Sequence, residues 1–308
     1  MDTKSPPTDA PAASPANEPR SWRGLLYVTI AVIFFGTSPI FIRWSAPFNA
    51  VEIAFWRLTI ASALMALMGL VTRQYLLLKR QQIARFAFYG LITALHFIFY
   101  IAALQYTTIA HTLAIIYTSP ILVTLFSVIF LREPLAIRKY IGIGVTTIGI
   151  AILVGFEPGY TACSLSGEGS CMILGDSLAL LSGLCFAIYS VAGRGERDRH
   201  PLFRYTLNVY GFAALWLLPL AIYFAFGHPY PLAAVGAVIA LGVFPLGLGH
   251  TLYNASVRRI HATYASLIST QEVTIGVILG IVLLHEMPSA SAIVGGLVML
   301  LGIAGVLL

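Results

Sequence analysis

Charged residues are scarce in this sequence. Only 10% of the 308 residues are Asp, Glu, Lys or Arg, while 58% are hydrophobic, and a soluble domain carries roughly 25% charged residues. Because so few polar side chains do not cover a globule in water, we expect most of the surface to face lipid. The net charge of +6 does not indicate nucleic-acid binding, since the basic residues are scattered between apolar stretches and form no patch.

Catalytic motifs are absent as well. The sequence contains no Walker loop, no HExxH, no GxSxG and no CxxC pair, the patterns that mark many nucleotide, metal and nucleophile sites. We therefore predict no enzyme activity, no cofactor and no metal, and energy from ATP would have to come from a separate subunit. The expected partners are a small-molecule substrate and the lipid bilayer. A monomer and a dimer are both compatible with the sequence.

Cysteine is also rare, with three residues in the chain. Cys163 and Cys171 lie in a loop that we expect outside the cytoplasm, where an oxidising compartment favours a disulfide. The alternative, two reduced thiols in a mobile loop, stays open. Cys185 falls within an apolar stretch and is expected to be a small packing residue.

Long apolar stretches dominate the chain. About 17–25 apolar residues span a bilayer as a helix, which satisfies its own backbone hydrogen bonds in lipid. We therefore predict an all-α membrane protein. Its ten predicted helices lie at residues 25–42, 50–71, 84–104, 110–131, 140–156, 175–193, 205–226, 232–252, 262–284 and 289–308. Residues 1–22 are polar, rich in Pro and Ala, and predicted to be a disordered cytoplasmic tail rather than a cleaved signal peptide.

The second half of the chain repeats the first at an offset of 153 residues. With Tyr100 aligned to Tyr253, ten identities occur over 56 positions without a gap, and they include Glu133 with Glu286. A repeat within a hydrophobic chain is typical of transporters built from two related halves. We predict a first repeat at 23–156, an extracytoplasmic loop at 157–174 and a second repeat at 175–308.

The distribution of Lys and Arg predicts the orientation. With a cytoplasmic N-terminus, 16 of the 18 basic residues fall in the tail or in cytoplasmic loops, and only Arg43 and Arg57 lie elsewhere. This pattern favours ten helices with both termini in the cytoplasm. Because each half has an odd number of helices, the halves enter the membrane from opposite sides and form inverted repeats, the geometry that suits alternating access.

Glu272 is the most informative side chain. It lies in Ser269-Thr270-Gln271-Glu272 within the ninth predicted helix, where a charge costs at least about 2.5 kcal/mol. It binds a proton or the ammonium group of a substrate, or else it is a structural carboxylate near a helix break; both interpretations stay open. At the equivalent position the first half has Ser119, followed by Pro120, so an acid function is not duplicated.

Other polar residues are candidates for a central cavity. His96, Tyr100 and Tyr117 lie on the third and fourth helices, and His250, Tyr253 and Asn254 on the eighth. As a set they resemble the aromatic walls and few polar groups of a small-molecule site, although each alone is also explained by interhelical packing. Arg57 either extends its charged end to the membrane surface or neutralises Glu52 near the outer surface, which we favour, or, if it lies deeper, binds a substrate carboxylate.

The remaining features predict helix ends and packing. Glu133 and Glu286 are interpreted as acids at helix ends, which stabilise the following helix N-terminus. Pro39, Pro120, Pro219 and Pro245 are expected to kink their helices. Close helix packing is predicted at six glycines, Gly142, Gly144, Gly149, Gly295, Gly296 and Gly302, because small residues let helices approach closely.

The chain resembles the drug/metabolite transporter superfamily, EamA type, over about residues 25–308. The matching motifs are Phe35-Gly36-Thr37-Ser38-Pro39, Phe55-Trp56-Arg57, Ser119-Pro120 with Glu133 fourteen residues later, and Glu272 with Glu286 fourteen residues later. The chain departs from the family at Val273, where proline is common. The resemblance implies ten helices in two halves and the export of amino acids, metabolites or drugs, with import in some members.

Together these observations predict a secondary active transporter in a bacterial inner membrane. We expect it to export small metabolites such as amino acids by alternating access around a midplane cavity lined by helices 1, 3, 4, 6, 8 and 9, with proton exchange at Glu272. The substrate and proton candidates are Arg57, His96, Tyr100, Tyr117, His250, Tyr253, Asn254, Gln271 and Glu272. The alternatives are a lipid-linked flippase and a non-transporting membrane sensor.

Overall fold

Ten helices account for nearly all of the chain that the structure, a computed structural model, describes: residues 21–155, 172–225, 229–285, 287 and 289–307. Four helices are composites of shorter segments. The helices are α1 (Trp22–Gly36 and Ser38–Trp44), α2 (Ala50–Val71), α3 (Arg80–Tyr106), α4 (Ile109–Ile116, Ser119–Phe126 and the π-helical Ser127–Leu131), α5 (Ile137–Gly155), α6 (Met172–Gly195), α7 (Leu202–Phe224), α8 (Leu232–Leu241, the π-helical Gly242–His250 and Thr251–Val257), α9 (Ala262–Ser269, Glu272–Leu279 and the π-helical Gly280–Leu284) and α10 (Ala290–Leu307).

The side chains are distributed as lipid requires. Eight helices within the described residues are long and apolar enough to cross a membrane, and α10 contributes a shorter apolar stretch, Ile293–Val306. Large apolar side chains such as Ile141, Leu232 and Leu301 are exposed on the exterior, while Arg57 and Glu272 are buried inside. An apolar exterior around buried charged groups is the pattern of a multi-pass membrane protein.

The predicted repeat is confirmed by the helix boundaries. The three segments of α4 recur in α9 at an offset of 153 residues, and α10 begins 153 residues after α5. Each π-helical turn ends in a left-handed residue, Arg132 with φ 55° and His285 with φ 58°, and these two positions are also 153 residues apart. The first turns of α4 and α9 are capped alike by the side chains of Thr108 and His261.

Several helix contacts recur with the halves exchanged. Helices α5 and α10 pack together, as do α2 and α7. The contact of α3 with α6 has its counterpart in α8 with α1, and that of α4 with α6 in α9 with α1. This exchange of equivalent contacts is expected for two repeats of the same fold.

Glycines bring the α5 and α10 backbones into close contact. A Cβ added at Gly149 would lie 2.6 Å from the carbonyl oxygen of Gly295, and one added at Gly302 would lie 2.7 Å from that of Gly142. These two contacts are equivalent under the repeat, and they confirm small-residue packing at these glycines. The prediction was wrong for Gly144 and Gly296, where an added Cβ would meet no described atom within 4 Å.

Three helices are interrupted within the bundle, and a threonine hydroxyl occupies each break. Thr37, Thr118 and Thr270 each donate a hydrogen bond to the carbonyl three residues earlier, at 2.7, 2.9 and 2.7 Å. Each of these carbonyls also accepts the backbone N–H of the same threonine, so the hydroxyl adds a second hydrogen bond at the end of the interrupted segment. Pro39 and Pro120 follow two of the breaks, as predicted, but α9 is interrupted without proline, since Val273 stands there.

The other two predicted kink positions differ from each other. Pro245 lies in the π-helical part of α8, where the regular hydrogen-bond ladder is altered, while Pro219 lies within the continuous helix α7.

At the start of α2, Asn49 and Glu52 form a reciprocal capping box, in which the side chain of each accepts a hydrogen bond from the backbone N–H of the other. This capping fixes where α2 enters the bundle.

Candidate functional site

A narrow cavity lies between the two halves of the molecule. It is lined by residues of α1, α2, α3, α4, α6, α8 and α9, namely Phe35, Ser38, Arg57, His96, Phe97, Tyr100, Leu113, Ile116, Tyr117, Phe186, Pro245, His250 and Glu272. These are the six helices predicted from the sequence, with α2 added through Arg57. A water molecule fits in the cavity, since its centre has about 20 Å³ in which to move. A metabolite does not fit.

Glu272 is held by tyrosines from the other half of the chain. The Tyr100 hydroxyl donates to Oε1 of Glu272 at 3.1 Å, and the Tyr117 hydroxyl donates to Oε2. The break at Thr270 and Gln271 makes Glu272 the first residue of the second α9 segment, where the helix dipole favours a negative charge. The carboxyl group is therefore buried, oriented by two donors and exposed only to the cavity.

Two histidines, His96 and His250, line the same cavity within a cluster of aromatic rings. His96 is fixed by Ser182 of α6, whose hydroxyl and carbonyl lie 2.9 and 3.1 Å from its Nδ1 atom. The His250 ring lies 4.5 Å from the Phe35 ring and 5.1 Å from the Phe97 ring, between ring centroids. The Nδ1 atom of His250 has no hydrogen-bond partner among the described residues.

Arg57 lies deeper than we expected from the sequence. Its side chain is 1% exposed, and its guanidinium carbon lies 4.3 Å from the centroid of the Phe97 ring. Glu52, the partner we favoured, instead accepts a hydrogen bond from the Tyr230 hydroxyl at 2.9 Å and caps its own helix. The interpretation of Arg57 as a surface arginine that neutralises Glu52 was therefore wrong, because α2 places its side chain inside the bundle, at the cavity.

Three of the predicted site residues do not line the cavity. The Tyr253 hydroxyl donates to Ser190 Oγ at 2.8 Å, and Asn254 donates to the Tyr189 hydroxyl and to the carbonyl of His250. Both therefore fasten α8 to neighbouring side chains. Gln271 accepts a hydrogen bond from Thr274 at 3.3 Å within α9. Cys163, Cys171 and Glu286 lie outside the described residues.

Most of the basic residues lie at one end of the bundle, where Glu133 forms ion pairs with Arg194 and Arg197. We name this the basic end and define it by Arg85, Glu133, Arg194, Glu196 and His200. Arg194 Nε donates to Glu133, and its Nη1 donates to the carbonyl of Ile260 at 2.6 Å. Since Glu133 belongs to the first half and Arg194 to the second, this ion pair ties the halves together.

A second cluster at the basic end is built around Glu196, which the sequence analysis missed. The Glu196 carboxylate lies 3.2 Å from Arg85 and 2.9 Å from His200, and it accepts a hydrogen bond from Tyr89 at 3.1 Å. Its side chain is 3% exposed. Glu196 is an acidic residue among the arginines that follow α6 in the sequence. This contrast in charge was the only local pattern from which an ion-pair cluster could have been predicted.

At the opposite end, His111 Nδ1 lies 2.8 Å from Asp176 and joins α4 to α6. Neither residue was singled out from the sequence, because each looks like an isolated polar residue at a helix end. Hydrogen bonds or ion pairs therefore link the halves at both ends of the bundle and, through Glu272, at its centre.

Ten helices in two repeats, with a cavity between them that holds buried charged groups, are the architecture of a multi-pass membrane protein. The match to a family model is direct: the EamA-like transporter family matches residues 22–155 and again residues 173–308. The chain therefore belongs to the EamA-like transporter family and contains two EamA domains.

Individual relatives are distant but cover the whole fold. The chain is 27% identical over 274 residues to the pseudopaline exporter CntI of Pseudomonas aeruginosa, covering 89% of this chain and 92% of the exporter. It is 23% identical over 279 residues to an uncharacterized transporter of Archaeoglobus fulgidus, covering 90% and 96%. A solved crystal structure superimposes with a TM-score of 0.76 at 21% identity over 93% of this chain and 96% of that one, and it establishes the fold.

Proposed function

We propose that this protein is a secondary active transporter that exports small metabolites, such as amino acids, in exchange for protons. The observation that carries the proposal is that Glu272 of the second half receives hydrogen bonds from Tyr100 and Tyr117 of the first. A relative motion of the halves changes these contacts, so the protonation of Glu272 and the conformation of the protein are linked.

Exchange follows from the competition of two cations for one carboxylate. A protonated amine of the substrate binds the negative Glu272 from the cytoplasm, and a proton arriving from outside then neutralises the carboxylate and releases the amine. The carrier, now protonated at Glu272, returns and loses this proton to the cytoplasm. Because Glu272 has no acidic counterpart at Ser119, one such site operates per chain.

The basic end is proposed to face the cytoplasm of a bacterial cell whose inner membrane holds the protein. Its loops contain most of the Lys and Arg residues, as the positive-inside rule requires. With five helices in each half, this orientation makes the repeats inverted, related by an axis in the membrane plane. Alternating access then follows when the halves exchange their conformations.

The present conformation is interpreted as an occluded intermediate of this cycle. The cavity has room for water only, and Glu133 with Arg194 and Arg85 with Glu196 link the halves at the basic end. Opening towards the cytoplasm requires these pairs to separate. The 27% identity to a protein named as an exporter supports outward transport.

The proposal is tested with the purified full chain in liposomes. The vesicles contain a pool of the twenty L-amino acids, the amines and carboxylic acids that share their side chains, and neutral sugars. Release of each solute is followed by mass spectrometry after a pH gradient is imposed, and the internal pH is followed with a trapped dye. We expect release of at least one solute with an opposing movement of protons.

Glu272→Gln and Glu52→Gln form a matched pair, since both glutamates are buried but only Glu272 lines the cavity. Glu272→Gln should abolish proton-linked release, while Glu52→Gln should retain it. Transport that is independent of the pH gradient in wild type, or unchanged in Glu272→Gln, removes Glu272 from the coupling. The absence of any released solute overturns the proposed transport function.

A further inference from the structure

The guanidinium group of Arg57 has N–H donors that no described residue accepts. Its Nε and Nη1 atoms are buried without hydrogen-bond partners, although an arginine remains charged in proteins and buried donors are nearly always paired. Arg194 provides the comparison, because it is 2% exposed and donates to Glu133 and to two backbone carbonyls. Arg194 is held as a structural arginine, whereas Arg57 lines the cavity with two nitrogen atoms that donate to no described residue.

Arg57 and Glu272 line the same cavity without pairing to each other. Within the described residues no ion pair joins them, and the polar contacts of Glu272 are to the Tyr100 and Tyr117 hydroxyls. A carboxylate oxygen has a second lone pair beyond the one that a tyrosine uses. The cavity therefore presents one cationic and one anionic group, both able to bind a further partner.

We propose that Arg57 binds the carboxylate of the transported molecule, so that the substrate is a small compound carrying both a carboxylate and a protonated amine. This inference rests on the proposed transport function. The planar guanidinium matches a carboxylate in geometry and charge. The amine faces Glu272, and the substrate's side chain packs against the aromatic walls formed by Phe35, Phe97 and Phe186.

Charge balance selects a carboxylate over a phosphate. A carboxylate on Arg57 together with an ammonium on Glu272 leaves the occupied cavity neutral, as a low-dielectric site requires. A phosphate with two negative charges leaves an excess next to Glu272, which repels it. A simple amine satisfies Glu272 but leaves the donors of Arg57 unpaired.

The test compares ligands on the wild-type protein. Each of the twenty L-amino acids is added to the purified full chain in detergent, and the melting temperature and the heat of binding are measured, since a ligand of the folded state stabilises it. We expect at least one amino acid to bind. Its amide and its decarboxylated amine should bind at least tenfold more weakly, and so should the carboxylic acid that lacks the amine.

Variants assign the carboxylate to Arg57. Arg57→Gln should weaken amino-acid binding at least tenfold and leave the affinity for the amine analogue unchanged, while Arg57→Lys should recover part of the loss. Arg43→Gln is the control, because Arg43 lies on α1 and donates to the carbonyl of Thr107 outside the cavity. If Arg57→Gln does not fold, the role of Arg57 is still tested by the affinities of the wild-type protein for the analogues and by the affinity of Arg57→Lys for the amino acid.

Three results overturn the inference: no amino acid binds, the amine analogue binds as well as the amino acid, or Arg57→Gln weakens both equally. The liposome experiment separates this failure from failure of the proposed function. Proton-linked release of a solute without a carboxylate leaves the transporter proposal standing and rejects the role of Arg57. Release of no solute rejects the transporter proposal itself.

Discussion

The hydroxyl of Tyr117 donates a hydrogen bond to Glu272 across the interface between the two halves of the chain. Tyr117 directly follows the first segment of α4, and Glu272 begins the second segment of α9. These helices are equivalent in the repeat, and each is interrupted at this depth. The contact therefore joins the two interrupted helices directly and makes the carboxyl group sensitive to their relative position.

Removing this donor should slow transport. A hydrogen bond to a charged group contributes about 1.5–3 kcal/mol, so Tyr117→Phe should reduce proton-linked release about tenfold or more. The measurement is the initial rate in liposomes under a fixed pH gradient. Tyr253→Phe is the control, since it also loses a buried hydrogen bond, to Ser190, but lies outside the cavity. Equal slowing in both variants would point to a general packing defect.

The two arginines that contact Glu133 should differ in their contribution to stability. Arg194 is 2% exposed, whereas Arg197 is 29% exposed and lies 3.4 Å from the carboxylate. Breaking a buried pair costs about 3–5 kcal/mol, and an exposed pair contributes about 0–1 kcal/mol. Because Glu133 is itself partly exposed, we expect Arg194→Gln to cost about 2–3 kcal/mol and to lower the melting temperature clearly, while Arg197→Gln changes it little. A larger loss for Arg197→Gln contradicts the assignment.

His200 should make the basic end sensitive to acid. Burial lowers the pKa of His200 from its ordinary value of 6.5, although the nearby Glu196 opposes this shift. Since Gln82 accepts from Arg204 through its oxygen, its amide nitrogen donates to His200 Nε2 at 2.9 Å, and the neutral ring then donates from Nδ1 to Glu196. The other ionisable groups that face this cluster are Arg85, Tyr89, Arg199, Arg204, Tyr205 and Arg258.

The sign of the pH effect follows from this lowered pKa. The unfolded chain binds the proton first, so stability is complete above about pH 6.5 and is lost as the pH falls from there through the folded pKa. Melting temperatures measured between pH 8 and pH 5 should therefore fall more steeply in wild type than in His200→Gln. Parallel profiles for the two proteins would show that other groups cause the loss.

The contact between α5 and α10 predicts opposite outcomes for two glycines of α5. Gly149→Ala places a methyl group against the backbone of α10, 2.6 Å from the carbonyl of Gly295, and overpacking of this kind costs typically 1–3 kcal/mol. Gly144→Ala meets open space and should be neutral or stabilising by up to about 1 kcal/mol, because alanine favours the helix. Melting temperatures of the two variants test this, and a loss of stability in Gly144→Ala is the contrary result.

The proposed orientation is tested by cysteine labelling. Asp198, 84% exposed at the basic end, and Met287, 80% exposed after α9, are each replaced by cysteine in a chain whose own cysteines are changed to serine. A maleimide that does not cross membranes should label Met287→Cys in intact cells and Asp198→Cys only in inverted vesicles. The reverse pattern would place the basic end outside the cytoplasm.

Helix positions were predictable because a helix that crosses a membrane needs about 20 consecutive apolar residues, and such stretches are visible along the chain. The span predicted at 50–71 coincides with α2, and the offset of 153 residues recurs in the segments of α4 and α9. Six of the nine predicted site residues line the cavity. The prediction failed for Tyr253 and Asn254, because the sequence of an apolar helix does not show which of its faces lines a cavity and which packs against a neighbouring helix.

The sequence by itself determined the number of helices, their repeat and the buried acid, since each of these depends on residues close together or at a constant offset along the chain. Only the tertiary structure decided which polar groups meet. Arg57 reaches the cavity, and Arg194 and Glu133 pair across the halves, because helix depth and rotation are set by packing between distant segments. The same packing brings Tyr100 and Tyr117 to Glu272, and no local pattern along the chain carries that information.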